Sequence, residues 1–365
     1  MQAIKNKEDW ETYREKEIAR ALPSLHDLGM FLDEEQVHTG GERYLMSGRK
    51  LVLTGVRQKD EKKVVIKVSS FPEGKKEIAH EKTVRDMIDS LPFAHGALLA
   101  PREIFFGEQK DVLIFITEYI DQLIPFVTLP LEKQYFFALR VLEEQEGFHA
   151  TTREHSKTIE KVFASCSADD YVASCALFLH TVRETLGDRS NLIALMEKAC
   201  AEISKNKTTL ERHGNYLTHT DLVPHNMRVG ENGIYLIDYA AIHFGNKYEG
   251  WARFLNFMLL HNPPLEKLLL SYVQENRTED EYLSLRLMRM FKVCFLLRFY
   301  ALALQKTEGD LRTLTEARID FWTGVLHALE RDMPIDASLR DTYLTKRSIL
   351  RSPEEVARQK EISAT

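Results

Sequence analysis

Strand-like and helix-like spacings follow one another in the N-terminal third of the chain. Apolar and polar residues alternate at 42–47, 50–57 and 63–68, with turns at 47–49 and 58–61, which predicts three antiparallel strands. Residues 75–91 repeat apolar side chains every three to four positions, as an amphipathic helix does. Strand spacing returns at 98–106 and 111–120, and the second run is apolar enough for a buried central strand. The predicted order is β-β-β-α-β-β.

Helical spacing dominates the remainder of the chain. One amphipathic segment, residues 8–34, precedes the predicted sheet, and a strand pair at about 216–239 interrupts the later helices. Those helices are predicted at about 131–150, 168–187, 190–212, 249–261, 264–275, 279–306 and 310–330. A sheet-rich part followed by a helical part, joined by an extended segment near 117–121, predicts two lobes with a cleft between them.

The predicted domains follow from these changes of spacing. They are an N-terminal helical extension (1–38), a sheet lobe (39–120), a helical lobe (121–335) and a C-terminal tail (336–365). The tail is polar from Ser352 onward, so we expect its end to be loosely held.

Composition and charge exclude several functional classes. The 365 residues are 44% hydrophobic, which is ordinary for a folded protein with a core in each lobe. The formal net charge is -6 and the basic residues are dispersed, so no nucleic-acid partner is expected. Cys166, Cys175, Cys200 and Cys294 show neither metal-binding nor disulfide spacing. With a charged N-terminus and no apolar segment that could span a bilayer, we expect a cytoplasmic protein without a membrane partner; the pattern leaves the oligomeric state open.

The strand pair near 216–239 carries the most informative motif. His219, Asp221 and Asn226 follow the pattern H-x-D-x-x-x-x-N, and Asp238 ends an apolar run twelve residues later. Phosphoryl transfer requires a group that accepts the hydroxyl proton, together with oxygen ligands for magnesium. These residue types at these separations can supply both, so the motif predicts a phosphoryl-transfer site.

Together with other segments, this motif resembles the aminoglycoside phosphotransferase and choline kinase family. The resemblance covers residues 39–330 and departs from the usual signature, close to H-G-D-L-H-P-G-N followed by I-D, at Thr220, Val223 and His225. Its further segments are Val64-Val-Ile-Lys-Val68, the helix with His80-Glu81, and the connector Thr117-Glu-Tyr-Ile120. The implied fold is α+β: a two-lobed protein-kinase-like fold, with a small antiparallel-sheet N-lobe containing one key helix and a larger, mostly helical C-lobe.

The resemblance also implies roles for individual residues. Asp221 would be the catalytic base or would orient the acceptor hydroxyl, and His219 would support the loop structurally. Asn226 and Asp238 would bind Mg²⁺. On the nucleotide side, Lys67 would hold the α- and β-phosphates.

Three expectations on the nucleotide side are less specific. The partner of Lys67 is either Glu81 or Glu77, which lie on one helix face. Ser47 and Gly48 would belong to a loop covering the phosphates, with a plain hairpin turn as the alternative. Glu118, Tyr119 and Ile120 would bind the base through their backbone groups.

The implied function is transfer of the γ-phosphate of ATP, or of GTP, to a hydroxyl of a small molecule such as an aminoglycoside, choline, a sugar or an amino alcohol. The alternative is a kinase-like nucleotide-binding or regulatory protein without turnover. Two features motivate that alternative: a glycine-poor phosphate loop and an altered segment at 243–251, where Glu249 could replace a missing aspartate. The acceptor stays open; the acidic residues that would favour a cationic one are Glu249, Glu279, Asp280 and Glu281.

Overall fold

A computed structural model describes residues 4–46, 48–90, 98–122, 124–230 and 233–359. Within these ranges, the structure describes only the backbone of residues 98, 148–154 and 156. The chain forms a sheet-containing N-lobe and a helical C-lobe, as the sequence predicts.

The N-lobe is built on one antiparallel sheet. Its strands are β1 (Met30–Leu32), β2 (Leu51–Arg57), β3 (Lys62–Ser69), β5 (Glu103–Gln109) and β6 (Val112–Glu118), while the short β4 (Leu98–Leu99) belongs to another sheet. The spatial order is β1-β2-β3-β6-β5. Helix α1 (Lys7–Asp27) precedes the sheet and α2 (Pro72–Ser90) follows β3, so the predicted order β-β-β-α-β-β holds within the sheet.

Both faces of the central strand β6 are buried, because a helix covers each face of the sheet. Ile114 and the residues two positions to either side of it in β6 pack with Trp10 and Leu25 of α1. Phe115, on the opposite face, packs with Ile78 of α2. Side chains alternate along a strand. This explains why 112–118 reads as a continuous apolar run.

The predicted first strand at 42–47 is wrong. Gly41–Leu45 form a 3₁₀ turn, and the edge strand beside β2 is Met30–Leu32, inside the segment expected to be helical. The backbone hydrogen bonds here join residues three apart, with Arg43 N–H donating to the Gly40 carbonyl at 3.2 Å and Met46 N–H to the Arg43 carbonyl at 3.1 Å, as in a 3₁₀ turn. Gly48 and Arg49 therefore do not lead into β2 from a partner strand.

The C-lobe is a set of packed helices around one large core. Its helices are α3 (Leu131–Ile159), α4 (Ala168–Thr185), α5 (Ser190–Lys205), α6 (Lys207–Arg212), α7 (Glu249–His261), α8 (Pro263–Asn276), α9 (Glu279–Leu304), α10 (Gly309–Glu330), α11 (Ala337–Leu350) and α12 (Pro353–Gln359). The predicted helix at 190–212 is divided at Asn206. Among the described residues, no helix is long and apolar enough to cross a membrane.

Short strands position the motif segment on the C-lobe. β7 (Tyr216–His219) pairs antiparallel with β10 (Ile242–Gly245), and β8 (Met227–Gly230) pairs with β9 (Gly233–Leu236). Met227 lies opposite Leu236 in the β8–β9 hairpin. Asn226 and Asp238 therefore emerge at the same end of the hairpin.

The end of the tail is not loosely held up to residue 359. Helix α12 packs against the 3₁₀ turns at 37–39 and 41–45, and Glu355 is fully buried there. Its Oε2 accepts a hydrogen bond of 2.9 Å from the backbone N–H of Glu42. The polar composition was misleading, because this carboxylate is buried with its own partners, Arg358 and the Glu42 amide.

Candidate active site

Lys67 and Glu81 form an ion pair on the C-lobe side of the N-lobe sheet. The Lys67 Nζ lies 2.6 Å from each carboxylate oxygen of Glu81, and Glu81 is only 2% exposed. Of the two glutamates that the sequence left open, Glu81 is the partner. Glu77 instead lies 3.6 Å from the Nζ of Lys50.

Lys50 is a second cation at this position, and sequence analysis missed it. Its Nζ lies 3.7 Å from Oδ1 of Asp238, and the Lys67 Nζ lies 4.0 Å from the same atom. Lys50 precedes β2 by one residue, so it shares a sheet face with Val52, as Lys67 does with Val65. A lysine directly before a strand is a weak signal, because such residues are usually solvated.

These side chains line one cavity between the lobes, with a volume of about 250 Å³. Most of the residues predicted to bind the nucleotide or the metal face it, namely Lys67, Glu81, Glu118, Tyr119, Ile120, Asn226 and Asp238. Four basic residues that sequence analysis did not single out also face it: Arg43, Lys50, Arg85 and Arg228. The cavity thus combines a high density of cations with the two predicted metal ligands.

Asp238 is held in an unusual backbone conformation. Its φ of 60° and ψ of 54° are left-handed, a region that non-glycine residues rarely occupy outside functional or strained positions. Burial raises the pKa of Asp238, but Lys67 and Lys50 outweigh burial and the pKa lies below its ordinary value. The carboxylate is therefore ionised at neutral pH.

Asp221 lies at the edge of the same cleft and is 40% exposed. The Nδ2 of Asn226 donates to the Asp221 carbonyl at 2.8 Å and to its Oδ2 at 3.3 Å. The Nε of Arg253, on α7, donates to Oδ1 at 2.7 Å. Burial raises the pKa of Asp221, but the Arg253 guanidinium and His225 outweigh burial and lower it to about 2.

His219 stabilises the loop that carries Asp221 from the protein interior. It is 1% exposed, its Nε2 lies 3.0 Å from the carbonyl of Ile237, and its backbone N–H donates to Oε1 of Gln145 at 2.9 Å. The imidazole thereby ties the Asp221 loop to the strand end that carries Asp238. A side chain so enclosed can shape the loop but cannot reach a substrate.

Two backbone N–H groups of the connector are already hydrogen-bonded within the protein. The N–H of Glu118 donates to the carbonyl of Arg102 at 2.9 Å, and the N–H of Tyr119 donates to the carbonyl of Lys63 at 3.2 Å. A nucleotide base in this cavity therefore cannot use those two N–H groups. Its remaining contacts there are the backbone carbonyls and the residues from Ile120 onward.

Of the two residues predicted for the phosphate loop, Ser47 lies outside the described residues. Gly48 has a φ of +144°, and a Cβ on it would meet the Glu77 carboxylate at 3.6 Å and Arg43 at 3.8 Å. Gly48 thus borders the charged residues of the cleft without lining the cavity itself.

Glu249 does not take part in the site. It is 3% exposed and binds Lys292 at 2.6 Å, His243 at 2.7 Å and the hydroxyl of Tyr171 at 2.6 Å. Two other acidic candidates for a cationic acceptor are also neutralised, since Asp280 binds Arg212 and Glu281 binds Lys247. Glu279 lies in the first turn of α9.

The residues present fit a magnesium ion. With its Nδ2 donating to Asp221, Asn226 has its amide oxygen left to serve as a ligand, and Asp238 adds an ionised carboxylate at the same end of the hairpin. Mg²⁺ commonly takes one or two protein oxygens and completes its shell with water and phosphate. Among the described residues, no group of three or more His, Cys, Asp or Glu is arranged to hold a metal by itself.

No protein-family model matches the sequence, and no curated protein is similar enough in sequence to count as a relative. Solved structures are similar. A thermostable mutant of aminoglycoside phosphotransferase APH(4)-Ia with ADP and hygromycin B is 14% identical with a TM-score of 0.57, covering 86% of this chain and 98% of its own. The GDP complex of aminoglycoside 2′-phosphotransferase-IIIa is 12% identical with a TM-score of 0.56, covering 88% and 98%.

A third similar structure is macrolide 2′-phosphotransferase MphH from Brachybacterium faecium. It is 13% identical with a TM-score of 0.50, and the match covers 90% of this chain and 97% of that one. The chain therefore has the two-lobed, protein-kinase-like fold of these phosphotransferases, as its sequence motifs predict.

Proposed function

We propose that this protein is a magnesium-dependent phosphotransferase that moves the γ-phosphate of ATP or GTP to a hydroxyl group of a small molecule. The main support for this proposal is that one interlobe cavity contains the Lys67–Glu81 pair, Asn226 and Asp238, with Asp221 at its edge. The structural neighbours support the proposal, because they are aminoglycoside phosphotransferases in complex with ADP or GDP. Fold alone does not name an acceptor.

Each residue has a separate part in the proposed reaction. Lys67, held by Glu81, and Lys50 place their ammonium groups where the phosphates would lie. Asn226 and Asp238 would hold Mg²⁺, which neutralises charge on the β- and γ-phosphates when bound. Asp221 accepts the proton of the acceptor hydroxyl and orients its oxygen for attack.

The low pKa of Asp221 suits orientation of the hydroxyl better than early proton removal. A carboxylate with a pKa of about 2 is a weak base, and in phosphoryl transfer the attacking oxygen loses its proton late. The proposed role is therefore to hold the hydroxyl in line and to take the proton as the new bond forms.

The alternative, a nucleotide-binding protein without turnover, is tested by Asp221→Asn. Nucleotide binding, measured by calorimetry with Mg²⁺, is expected to stay within about twofold of wild type, because Asp221 lies outside the cavity lining. Phosphoryl transfer to an acceptor panel is expected to fall by about 10²–10⁴-fold. A wild-type protein that binds nucleotide but transfers phosphate to no acceptor would favour the alternative.

A further inference from the structure

Arg253 contacts the Asp221 carboxylate with only one of its donor groups. Its Nε donates to Oδ1 at 2.7 Å, and no other hydrogen bond of Arg253 is found among the described residues. A guanidinium has five N–H donors in a planar fork. The two terminal nitrogens thus remain for a second anion beside Asp221, and the side chain is 22% exposed.

More basic side chains lie next to the same face of α7. Phe257 and His261 follow Arg253 at intervals of four residues, so all three share that face, and the rings of Phe257 and His261 stack at 4.1 Å. Helix α11 packs against α7. Arg347 and Arg351, from the end of α11 and the residue after it, are close enough to His261 to lower its pKa, after burial itself.

Arg351 is itself an unsatisfied cation. Its Nε is buried and has no hydrogen-bond partner among the described residues, and burial together with Arg347 lowers the pKa of its guanidinium. Glu355 and Glu42 act on Arg351 but already have closer cationic partners, Arg358 and Arg318. The α7 face that begins at Arg253 is therefore bordered by further positive charge near His261.

We propose, on the basis of the proposed function, that the acceptor is a hydroxyl compound carrying a carboxylate or phosphate group, and that this anion binds Arg253, with Arg351 farther along the same face of α7. Arginine matches both anions through paired hydrogen bonds. A cationic, amine-bearing acceptor would meet like charge at this surface, which costs binding energy.

The ion pair also couples acceptor binding to the base. The anion of the acceptor binds the terminal nitrogens of Arg253, while Nε keeps its hydrogen bond to Oδ1. One guanidinium thus holds the acceptor and Asp221 side by side. Arg253 is in this respect a specificity residue, because it contacts the part of the acceptor that does not react.

The test uses four compounds derived from one hexose that differ in charge: glucose, gluconate, glucose 6-phosphate and glucosamine. Calorimetry in the presence of AMP-PNP and Mg²⁺ measures binding without turnover. We expect gluconate, glucose 6-phosphate or both to bind at least about tenfold more tightly than glucose, the effect of one charge-assisted contact. Glucosamine is expected to bind most weakly. The two anions distinguish a carboxylate acceptor from a phosphate acceptor.

Arg253→Gln is expected to remove this preference while leaving the Kd of AMP-PNP unchanged, and Arg253→Lys to keep part of it. Arg351→Gln is a second variant farther from Asp221, and Arg312→Gln, at an exposed ion pair, is the matched control. Thermal melting checks that each variant folds. Equal binding of all four compounds, no binding of any, tighter binding of glucosamine, or a preference that survives Arg253→Gln and Arg351→Gln would overturn the inference.

The proposed function fails in a different way. If an anionic compound binds preferentially but no phosphate is transferred to any acceptor, the anion site stands and the transferase activity does not. If phosphate is transferred equally well to the neutral and charged sugars, the activity stands and the anion site does not.

Discussion

The guanidinium of Arg318 on α10 donates two hydrogen bonds to the carboxylate of Glu42, at 2.7 and 2.8 Å, across 276 positions of sequence. Both side chains are largely buried, with exposures of 7% and 13%. Glu42 lies in the 3₁₀ turn that leads toward Gly48 and Lys50. The pair therefore ties the segment that precedes Lys50 to the core of the C-lobe.

Replacing Arg318 with Met should reduce the free energy of unfolding by about 3–5 kcal/mol, because it leaves the Glu42 carboxylate buried without its partner. Removing both charges, with Glu42→Gln and Arg318→Met together, should cost less than Arg318→Met alone. Urea denaturation of the single and double variants measures both quantities. A double variant less stable than Arg318→Met would contradict this account of the pair.

Helix α12 should also stabilise the segment at residues 40–46. Glu355→Gln keeps the shape of the side chain but weakens its hydrogen bonds to the Glu42 amide and to Arg358. A hydrogen bond to a charged group contributes about 1.5–3 kcal/mol, so amide hydrogen exchange at residues 40–46 should accelerate by about tenfold or more.

Glu354→Gln is the matched control for that experiment. Glu354 is 57% exposed, and its one ion pair among residues 4–359 as far as they are described is with Lys7 at the surface, where ion pairs contribute little. Exchange at 40–46 should be unchanged in this variant. Equal acceleration in both variants would mean that α12 acts through its general packing and not through the Glu355 carboxylate.

The sequence predicts the lobes and most helices because their apolar spacing is regular over many residues. It also predicts Asn226 and Asp238 as neighbours, since a short hairpin brings its two ends together. The failures have a local cause: Met30–Leu32 is too short a strand to show alternation, and the 3₁₀ turn at Gly41–Leu45 contains enough apolar residues to imitate a strand.

Contacts between residues that lie far apart in sequence were not predicted. Arg253 follows Asp221 by 32 positions and meets it only because α7 packs beside the loop that carries Asp221. Gln145 reaches the His219 amide from 74 positions away. Neither residue belongs to a short motif, and a single arginine or glutamine on a helix usually faces solvent. Such partners become visible only when packing is known.

Lys50 should contribute to nucleotide binding although it lies outside the resemblance motifs. Its Nζ faces the cavity 3.7 Å from Asp238, and burial lowers its pKa less than Asp238 and Glu81 raise it, so it stays protonated. Lys50→Gln should weaken AMP-PNP binding by about tenfold in calorimetry, as expected for loss of one charge-assisted phosphate contact. Lys62→Gln, at an exposed position on β3, should have no effect. Unchanged affinity for Lys50→Gln would assign Lys50 to the stability of Asp238 alone.

His261 should make stability depend on pH in a range where carboxylates contribute little. Burial, followed by Arg347 and His225, lowers the pKa of His261 to about 3 from an ordinary value of 6.5. Between these values the unfolded chain binds a proton that the folded protein does not, so stability is present above pH 6.5 and is lost as pH falls toward 3. One such proton changes the free energy of unfolding by about 1.4 kcal/mol per pH unit.

Comparison of wild type with His261→Phe by urea denaturation from pH 7.5 to 5.0 measures this contribution. Phenylalanine keeps the stacking on Phe257 and does not titrate, so the decline below pH 6.5 should be smaller in the variant by about 1.4 kcal/mol per pH unit. His180→Phe is the control, because His180 is 63% exposed and its nearest partner is an equally exposed glutamate; the decline should match wild type. Parallel curves for wild type and His261→Phe would mean that the pKa of His261 is the same in the folded and unfolded chains, so that burial and the neighbouring Arg347 do not lower it.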